Sequence, residues 1–221
     1  MKNKAIKIIK ILQANGYKAV FAGGCVRDML LHKESHDIDI ATSASPDEVE
    51  KLFEKTIPVG KSFGVIRVVL EDKIFEVATF RNDGKYSDSR RPESVTFSNI
   101  KEDAKRRDLT INGLFYDPIK DEIIDYVNGQ EDIKRGIIRF IGDPVERIEE
   151  DKLRMLRALR FSMKFNFRIE RESFNAIKQF RSEITKISME RIQDELVKME
   201  SYLTTRGNNS FKQDLLNYAT Y

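Results

Sequence analysis

Cysteine is nearly missing from this chain of 221 residues: Cys25 is the only one. A single thiol can form neither an intrachain disulfide nor a cysteine-rich metal site, and such a chain suits a reducing, cytoplasmic compartment. Histidine is almost as scarce, with His32 and His36 alone, and no Cys/His spacing fits zinc. These three side chains read as structural rather than catalytic. The sequence also lacks an uninterrupted apolar run, so neither a signal peptide nor a membrane span is expected. No internal repeat is visible. Charge of one sign is lacking too: 39 basic residues against 36 acidic leave +3, so the placement of charge says more about an anionic partner than its sum. What is present is 40% apolar content, enough for a core, and 34% charged residues, high for a globular chain. The length fits one large domain or two small ones.

Periodicity divides the chain. Residues 5–13 carry an isoleucine-rich helical stripe, residues 18–22 a short strand, and Gly23-Gly24 a tight turn into a helix over 26–31. A strand is expected over 36–41. Ser45-Pro46-Asp47-Glu48 has the form of a capping box opening a helix to about residue 54. Residues 65–70 and 74–80 alternate and read as a hairpin. Residues 81–94, polar apart from Tyr86, cannot bury a core and read as a long loop. Ser98 or Asn99 caps a helix through residue 104, and 109–116 is apolar enough to be buried. A strand over 123–127, a short helix over 131–135 and a strand over 137–141 follow. From residue 143 the pattern turns helical, with helices over 145–149, 151–164, 171–180 and 188–203. The division expected is a mixed part over 1–142, a helical part over 143–203 and a polar tail over 204–221.

The chain is organised around Gly23-Gly24-Cys25-Val26-Arg27-Asp28 and the Asp37-Ile38-Asp39 that follows it. Glycine at a helix start lets backbone approach a ligand, and a helix amino terminus favours phosphate. On a strand, Asp37 and Asp39 share one face while Ile38 and Ile40 turn to the core. Two adjacent carboxylates repel unless a cation sits between them, and hard oxygen ligands of this kind suit Mg²⁺. Read alone, the pair also fits a solvated strand edge; the glycine turn at short range favours the metal. Glu76, on the second hairpin strand, is either a third carboxylate for that metal or a solvent-facing residue. Farther on, Asp151, Arg154 and Arg157 fall within one arc of a helix, with Arg160 at its edge. Either this is a salt-bridged surface, or it is a device in which an aspartate accepts from a base amine and arginines donate to ring atoms and phosphates.

Taken in order, Gly23-Gly24-x-Val26-Arg27-Asp28 with Asp37-x-Asp39, then Arg106-Arg107-Asp108-x-Thr110-x-Asn112, then Glu150-Asp151-x-x-Arg154-x-x-Arg157 resemble successive motifs of the class II tRNA nucleotidyltransferases. These are the CCA-adding enzymes and their bacterial poly(A) polymerase relatives, in the polymerase-β superfamily. The likeness covers roughly residues 18–200. The resemblance implies an α+β fold: a polymerase-β-like head with a mixed sheet, followed by an all-helical neck. It implies that Asp37 and Asp39 bind the metal, and that Gly24 and Arg27 hold the triphosphate. Arg107, Asp108 and Asn112 would contact phosphate and ribose. Asp151 and Arg154, with Arg157 and Arg160 beside them, would select CTP or ATP. Residues 81–94 resemble the family's flexible loop. The reaction implied is Mg²⁺-dependent addition of C and A to the 3′ end of tRNA, with poly(A) polymerase or CC-only or A-only addition as rivals within the family. Outside it, the rivals are a non-catalytic RNA-binding relic and a fragment of a longer enzyme. The family's body and tail, which hold the tRNA elbow, have no counterpart after about residue 199, and a homodimer is one way to supply that grip.

Overall fold

The computed structural model of the chain describes residues 1–35, 37–84 and 94–203. His36, most of the expected 81–94 loop and the expected 204–221 tail lie outside the described residues. The chain divides into two compact units, with the division between Ile133 and Lys134.

The first unit opens with α1 (Lys2–Ala14), whose buried Ala5, Ile8, Ile9 and Leu12 recur at helical spacing and turn one stripe inward. It continues with β1 (Ala19–Ala22), α2 (Gly24–Leu30), β2 (Asp39–Thr42), α3 (Pro46–Leu52), β3 (Thr56–Ile57), β4 (Val65–Leu70) and β5 (Lys73–Thr79). Then come β6 (Arg81–Asp83), β7 (Val95–Phe97), α4 (Ile100–Lys105), β8 (Leu114–Asp117), β9 (Glu122–Asp125) and α5 (Gly129–Arg135). Seven strands form one mixed sheet in the order β3-β4-β5-β2-β1-β8-β9. Its only parallel pair is β2 with β5, which sets Ile40 opposite Val77. Val20, Ala22, Ala41, Phe80, Phe115, Ile100 and Ala104 make the core between the central strands and α4.

Local chemistry explains most of these elements. Ser45 and Glu48 complete the capping box of α3, and Asn99 caps α4 by accepting from the amides of Lys101 and Glu102. The β4–β5 hairpin turns on Glu71 and Asp72, both at positive φ (48° and 61°), the backbone that a two-residue turn between twisted strands requires.

Three expectations about this unit change. The strand expected over 36–41 pairs only from Asp39, opposite Ala22, so Asp37 precedes the ladder. The expected loop is narrower at both ends, because Arg81–Asp83 and Val95–Phe97 pair as an antiparallel two-stranded sheet. The expected division at residue 142 also moves. Ile137–Ile138 (β10) pairs in parallel with Arg168–Ile169 (β11), which ties residues 137–138 to the second unit.

That second unit contains α6 (Pro144–Glu150), α7 (Leu153–Phe165), α8 (Arg171–Phe180) and α9 (Met189–Leu203), with a 3₁₀ turn over Arg181–Lys186. The β10–β11 pair means that it is not purely helical, and β10 is shorter than the expected 137–141 strand. An apolar stripe of α7 forms its core. Leu153, Leu156, Leu159 and Met163 of α7 pack with Ile184, Ile187, Ile192, Leu196 and Met199. Asp151, however, is the C-cap of α6 with extended dihedrals (φ −149°, ψ 108°), so it precedes α7 rather than sharing its face. Among the described residues, no helix is long and apolar enough to cross a membrane.

Candidate active site

Gly23 begins the site. It holds φ 68° at the amino end of α2, donates its amide to the Leu114 carbonyl at 2.9 Å, and leaves room where a Cβ would lie 2.8 Å from Nη1 of Arg107. A side chain here would meet backbone strain and the guanidinium together. Gly24 follows as the first residue of α2, and a Cβ there would sit 3.5 Å from Nη2 of Arg27.

Around this turn the residues expected from separate motifs meet. Arg27 is almost fully buried; its Nε donates to Asp28 at 2.9 Å and its Nη1 donates to the Asn112 side-chain oxygen at 2.5 Å. Nδ2 of Asn112 donates to Oδ1 of Asp108 at 3.1 Å, and the same oxygen accepts from the Leu109 amide at 2.8 Å. Arg107 donates to the Asn112 carbonyl and lies 4.9 Å from the Phe115 ring centre. Arg27, Arg107, Asp108 and Asn112 are therefore one hydrogen-bonded group on the Gly23 turn.

Its foundation is a residue that the motif reading passed over. Asp103 of α4 is buried and accepts from Nε and Nη2 of Arg107 (3.2 and 3.0 Å), from Nε of Arg106 (2.8 Å) and from the Arg81 amide (3.3 Å). Burial alone would raise its pKa; the guanidinium groups of Arg107 and Arg106 outweigh it and hold the carboxyl below the ordinary range. Asp83 carries the chain further, pairing with Arg81 at 2.9 Å and Arg106 at 3.5 Å. The sequence signal is present, since Asp103 stands three and four residues before the two arginines that follow the end of α4. A second support lies under Asn112. Thr110 donates to Asp132 at 2.7 Å, and a Cβ on Gly129 would come within 2.2 Å of the Thr110 carbonyl, so only glycine fits there.

Asp39 starts β2 and Asp37 lies just before it; both are exposed, Ile38 is half-buried and Ile40 is fully buried. The alternation inferred for a strand thus survives, although the ladder does not reach Asp37. Part of Asp39 is open to water, yet protein crowds its carboxyl group. That crowding raises its pKa, the charges of Glu76 and Asp37 raise it further, and Arg107 offsets part of the rise. Negative charge is concentrated where a hard cation would relieve it, and the donor set fits a divalent ion that keeps waters and takes phosphate oxygens. Among the described residues, no cluster of three or more His, Cys, Asp or Glu has the spacing of a complete metal cage. Glu76 acts on Asp39 through its charge while its own carboxylate is gripped by Arg67 at 3.0–3.1 Å. Cys25 is buried, and burial with the nearby Asp39 pushes its thiol to about 11, so it stays protonated at neutral pH.

The remaining expected residues belong to the second unit. Asp151 accepts from the Leu153 amide (3.0 Å) and pairs with Arg191 of α9 (2.8 Å). Arg154 is buried and donates to Glu150 (2.5 Å) and to the Arg147 carbonyl (3.1 Å). Asp151 and Arg154 thus flank the α6–α7 junction with separate partners. Arg157 is half-buried, 5.6 Å from the Phe161 ring centre. Arg160 is buried against the same ring (4.1 Å) and pairs with Glu195 (2.5 Å), whose carboxyl is held low by that arginine despite its burial. Arg160 ties α7 to α9.

The chain as a whole is similar to known proteins. The family profile described as the poly A polymerase head domain matches residues 19–139, and one described as the probable RNA and SrmB-binding site of polymerase A matches residues 166–200. A CCA-adding enzyme of Enterococcus faecalis is 48% identical over 197 residues, which are 89% of this chain and 48% of that protein. The crystal structure of the Bacillus stearothermophilus CCA-adding enzyme in complex with CTP superposes with a TM-score of 0.81 at 42% identity, covering 89% of this chain and 48% of that one. The Thermotoga maritima CCA-adding enzyme complexed with tRNA_CCA gives a TM-score of 0.73 at 28% identity, covering 89% and 46%. The chain spans about half the length of the curated relatives it matches.

Proposed function

The chain belongs to the class II family of tRNA nucleotidyltransferases and poly(A) polymerases defined by the poly A polymerase head domain, and we propose that it adds C and A nucleotides to the 3′ end of tRNA from CTP and ATP. The observation that carries this reading is the joining of Arg27, Arg107, Asp108 and Asn112 into one group on the Gly23 turn, with the Arg107 charge felt at Asp39. Arg27 and Arg107 offer fixed positive charge to a triphosphate, and neither has to reorganise to do so. Gly23 and Gly24 keep the backbone low enough for phosphate to approach. Asp108 and Asn112 fix the turn and present polar edges to a ribose.

Nucleotidyltransferases of this family use a divalent metal; here Asp37 and Asp39 would hold Mg²⁺, which when bound neutralises phosphate charge and acidifies the RNA 3′-hydroxyl. In the transfer the 3′-oxygen bonds to the α-phosphorus while the bond to the bridging oxygen breaks, and pyrophosphate leaves. Asp151 supports the base-reading role. Its two oxygens have about four lone-pair sites, and with the Leu153 amide and Arg191 as partners one face can still accept from an exocyclic amine. Arg154, immobilised by Glu150 and the Arg147 carbonyl, would donate to the base edge. A protein acting on tRNA with these nucleotides would work in the cytoplasm.

The test is incubation with tRNA ending before CCA, supplying CTP and ATP singly and together, followed by sequencing of the ends. Ordered C, C, A addition is expected. The poly A polymerase description of both family matches makes A-only polymerisation the second reading, which appears as A tails without CTP. No incorporation of either nucleotide contradicts both.

A further inference from the structure

Most arginines among the described residues are paired with a carboxylate. Arg27, Arg67, Arg81, Arg106, Arg107, Arg139, Arg147, Arg154, Arg160 and Arg191 each have a carboxylate within 4.0 Å. Three exposed arginines have no such ion pair among the described residues, Arg168, Arg171 and Arg181, and all lie in one short segment. Two of them bracket α8. Its buried residues, Ser173, Ala176, Ile177 and Phe180, face the core of their own unit. At 100° per residue, Arg171, Phe174, Lys178 and Arg181 fall within an arc of about 80° on the opposite side. Arg181 is the C-cap but keeps helical dihedrals (φ −53°, ψ −39°), so the spacing carries through to it. Phe174 is 42% exposed, and the Lys178 ammonium stands 5.3 Å from its ring centre.

Carboxylates near this arc are placed elsewhere. Glu170 caps the helix by accepting from the amides of Glu172 and Ser173, and Glu183 pairs with Lys152 and Lys186. Glu172 lies about 100° from Arg171, on the far edge of the exposed side. Helix stability does not account for the pattern. Lys178 and Arg181 suit the negative end of the helix dipole, but Arg171 sits at the positive end, where a cation is unfavourable, and has no ion pair among the described residues to offset it.

We propose that this outward face of α8 is a docking surface for the phosphodiester backbone of the RNA substrate, with Phe174 offered to an unpaired base. Cations spaced along a helix neutralise successive phosphates, and an exposed ring among them gives a base a stacking platform. The match of residues 166–200 to a probable RNA-binding segment agrees with this and names no face or residue. The inference deepens the reading of the protein as an RNA-modifying enzyme and rests on it.

The experiment measures binding of tRNA ending before CCA to the full chain over a range of KCl concentrations, for the wild type and for R171A/K178A/R181A. A control variant, K51A/K101A/K120A, removes the same charge from exposed positions on the other unit. The surface variant is expected to bind RNA at least about tenfold more weakly at low salt and to lower the log–log salt slope by about two units, since each lost phosphate contact removes about 0.7–0.9. Its KM for CTP should not change, and the control should keep most of the wild-type slope. Phe174→Ala should weaken binding by about tenfold with the slope retained. An R171A/K178A/R181A slope equal to that of the control overturns the proposal, as does a surface variant that loses binding to an acidic protein while keeping its affinity for RNA. Nucleotide incorporation by the wild type is scored separately. A wild type that adds nucleotides while the surface variant binds RNA normally overturns the surface alone; a wild type that adds none overturns the enzymatic reading.

Discussion

In the first unit Arg27, Arg106 and Arg107 are fixed by carboxylates and an amide of the same unit, whereas in the second Arg171 and Arg181 stand exposed without an ion pair among the described residues. The same side chain serves two physical tasks. A cation that must stabilise charge developing at a reacting phosphate is most effective when its position is settled beforehand, so its neighbours are spent on holding it. A cation that captures a long polyanion gains from remaining open and mobile, because its contribution comes through counterion release and steering. Arg160 illustrates a third use: buried, paired with Glu195 and stacked on Phe161, it joins two helices.

The largest effect should come from the carboxylates that oppose the fixed cations. Asp37→Ala or Asp39→Asn should reduce incorporation to background in a nucleotide-addition assay, because the proposed metal would lose half of its protein ligands. Asp39→Asn should also raise Tm in chelator at neutral pH. Its pKa is raised in the fold by crowding and by Glu76 and Asp37, so its charged form is disfavoured there, and this penalty applies above the folded pKa. A variant that is inactive and no more stable would break the link between charge concentration and function.

Next in size is Asp103→Asn. Leaving Arg106 and Arg107 partly uncompensated should cost about 3 kcal/mol at neutral pH, measured by urea denaturation. It should also raise KM for all nucleotides. The folded pKa of Asp103 is depressed, so its contribution is present above the ordinary carboxyl value of about 3.9 and is lost as pH falls through the lower folded value. The variant should therefore show a flatter acid limb in a Tm-against-pH profile. The smallest effect belongs to Arg67→Ala, which breaks an exposed pair with Glu76 and should cost no more than about 1 kcal/mol.

The sequence made some of this visible and hid the rest, and the division follows the range of the forces. The α1 stripe, the β4–β5 hairpin, the α3 capping box and the Asn99 cap are decided within a few residues, and they form as expected. The ordered motifs named Gly24, Arg27, Arg107, Asp108 and Asn112, and the fold brings these residues close together around the Gly23 turn. Asp103 was hidden because only tertiary packing decides whether an acidic residue in a charged helix faces water or becomes a buried anchor. Asp151 was placed on the wrong element because no glycine or proline marks the break between α6 and α7. There Asp151 is extended and its own carboxylate accepts the Leu153 amide, a local competition with the helix that periodicity does not reveal.

The most direct test of the division of labour between the two units is the incorporation of CTP, ATP, UTP and GTP by Arg107→Ala and Asp151→Ala, with Arg191→Ala as the control for loss of the Asp151 ion pair. Arg107→Ala should slow all four nucleotides by a similar factor, as a residue that would act on the triphosphate rather than on the base. Asp151→Ala should change the ratios among them by about one to two decades, the worth of a charged contact to a base edge, while Arg191→Ala leaves those ratios near wild type. An Asp151→Ala profile that keeps the wild-type ratios, or an Arg107→Ala profile that alters them, would contradict the account.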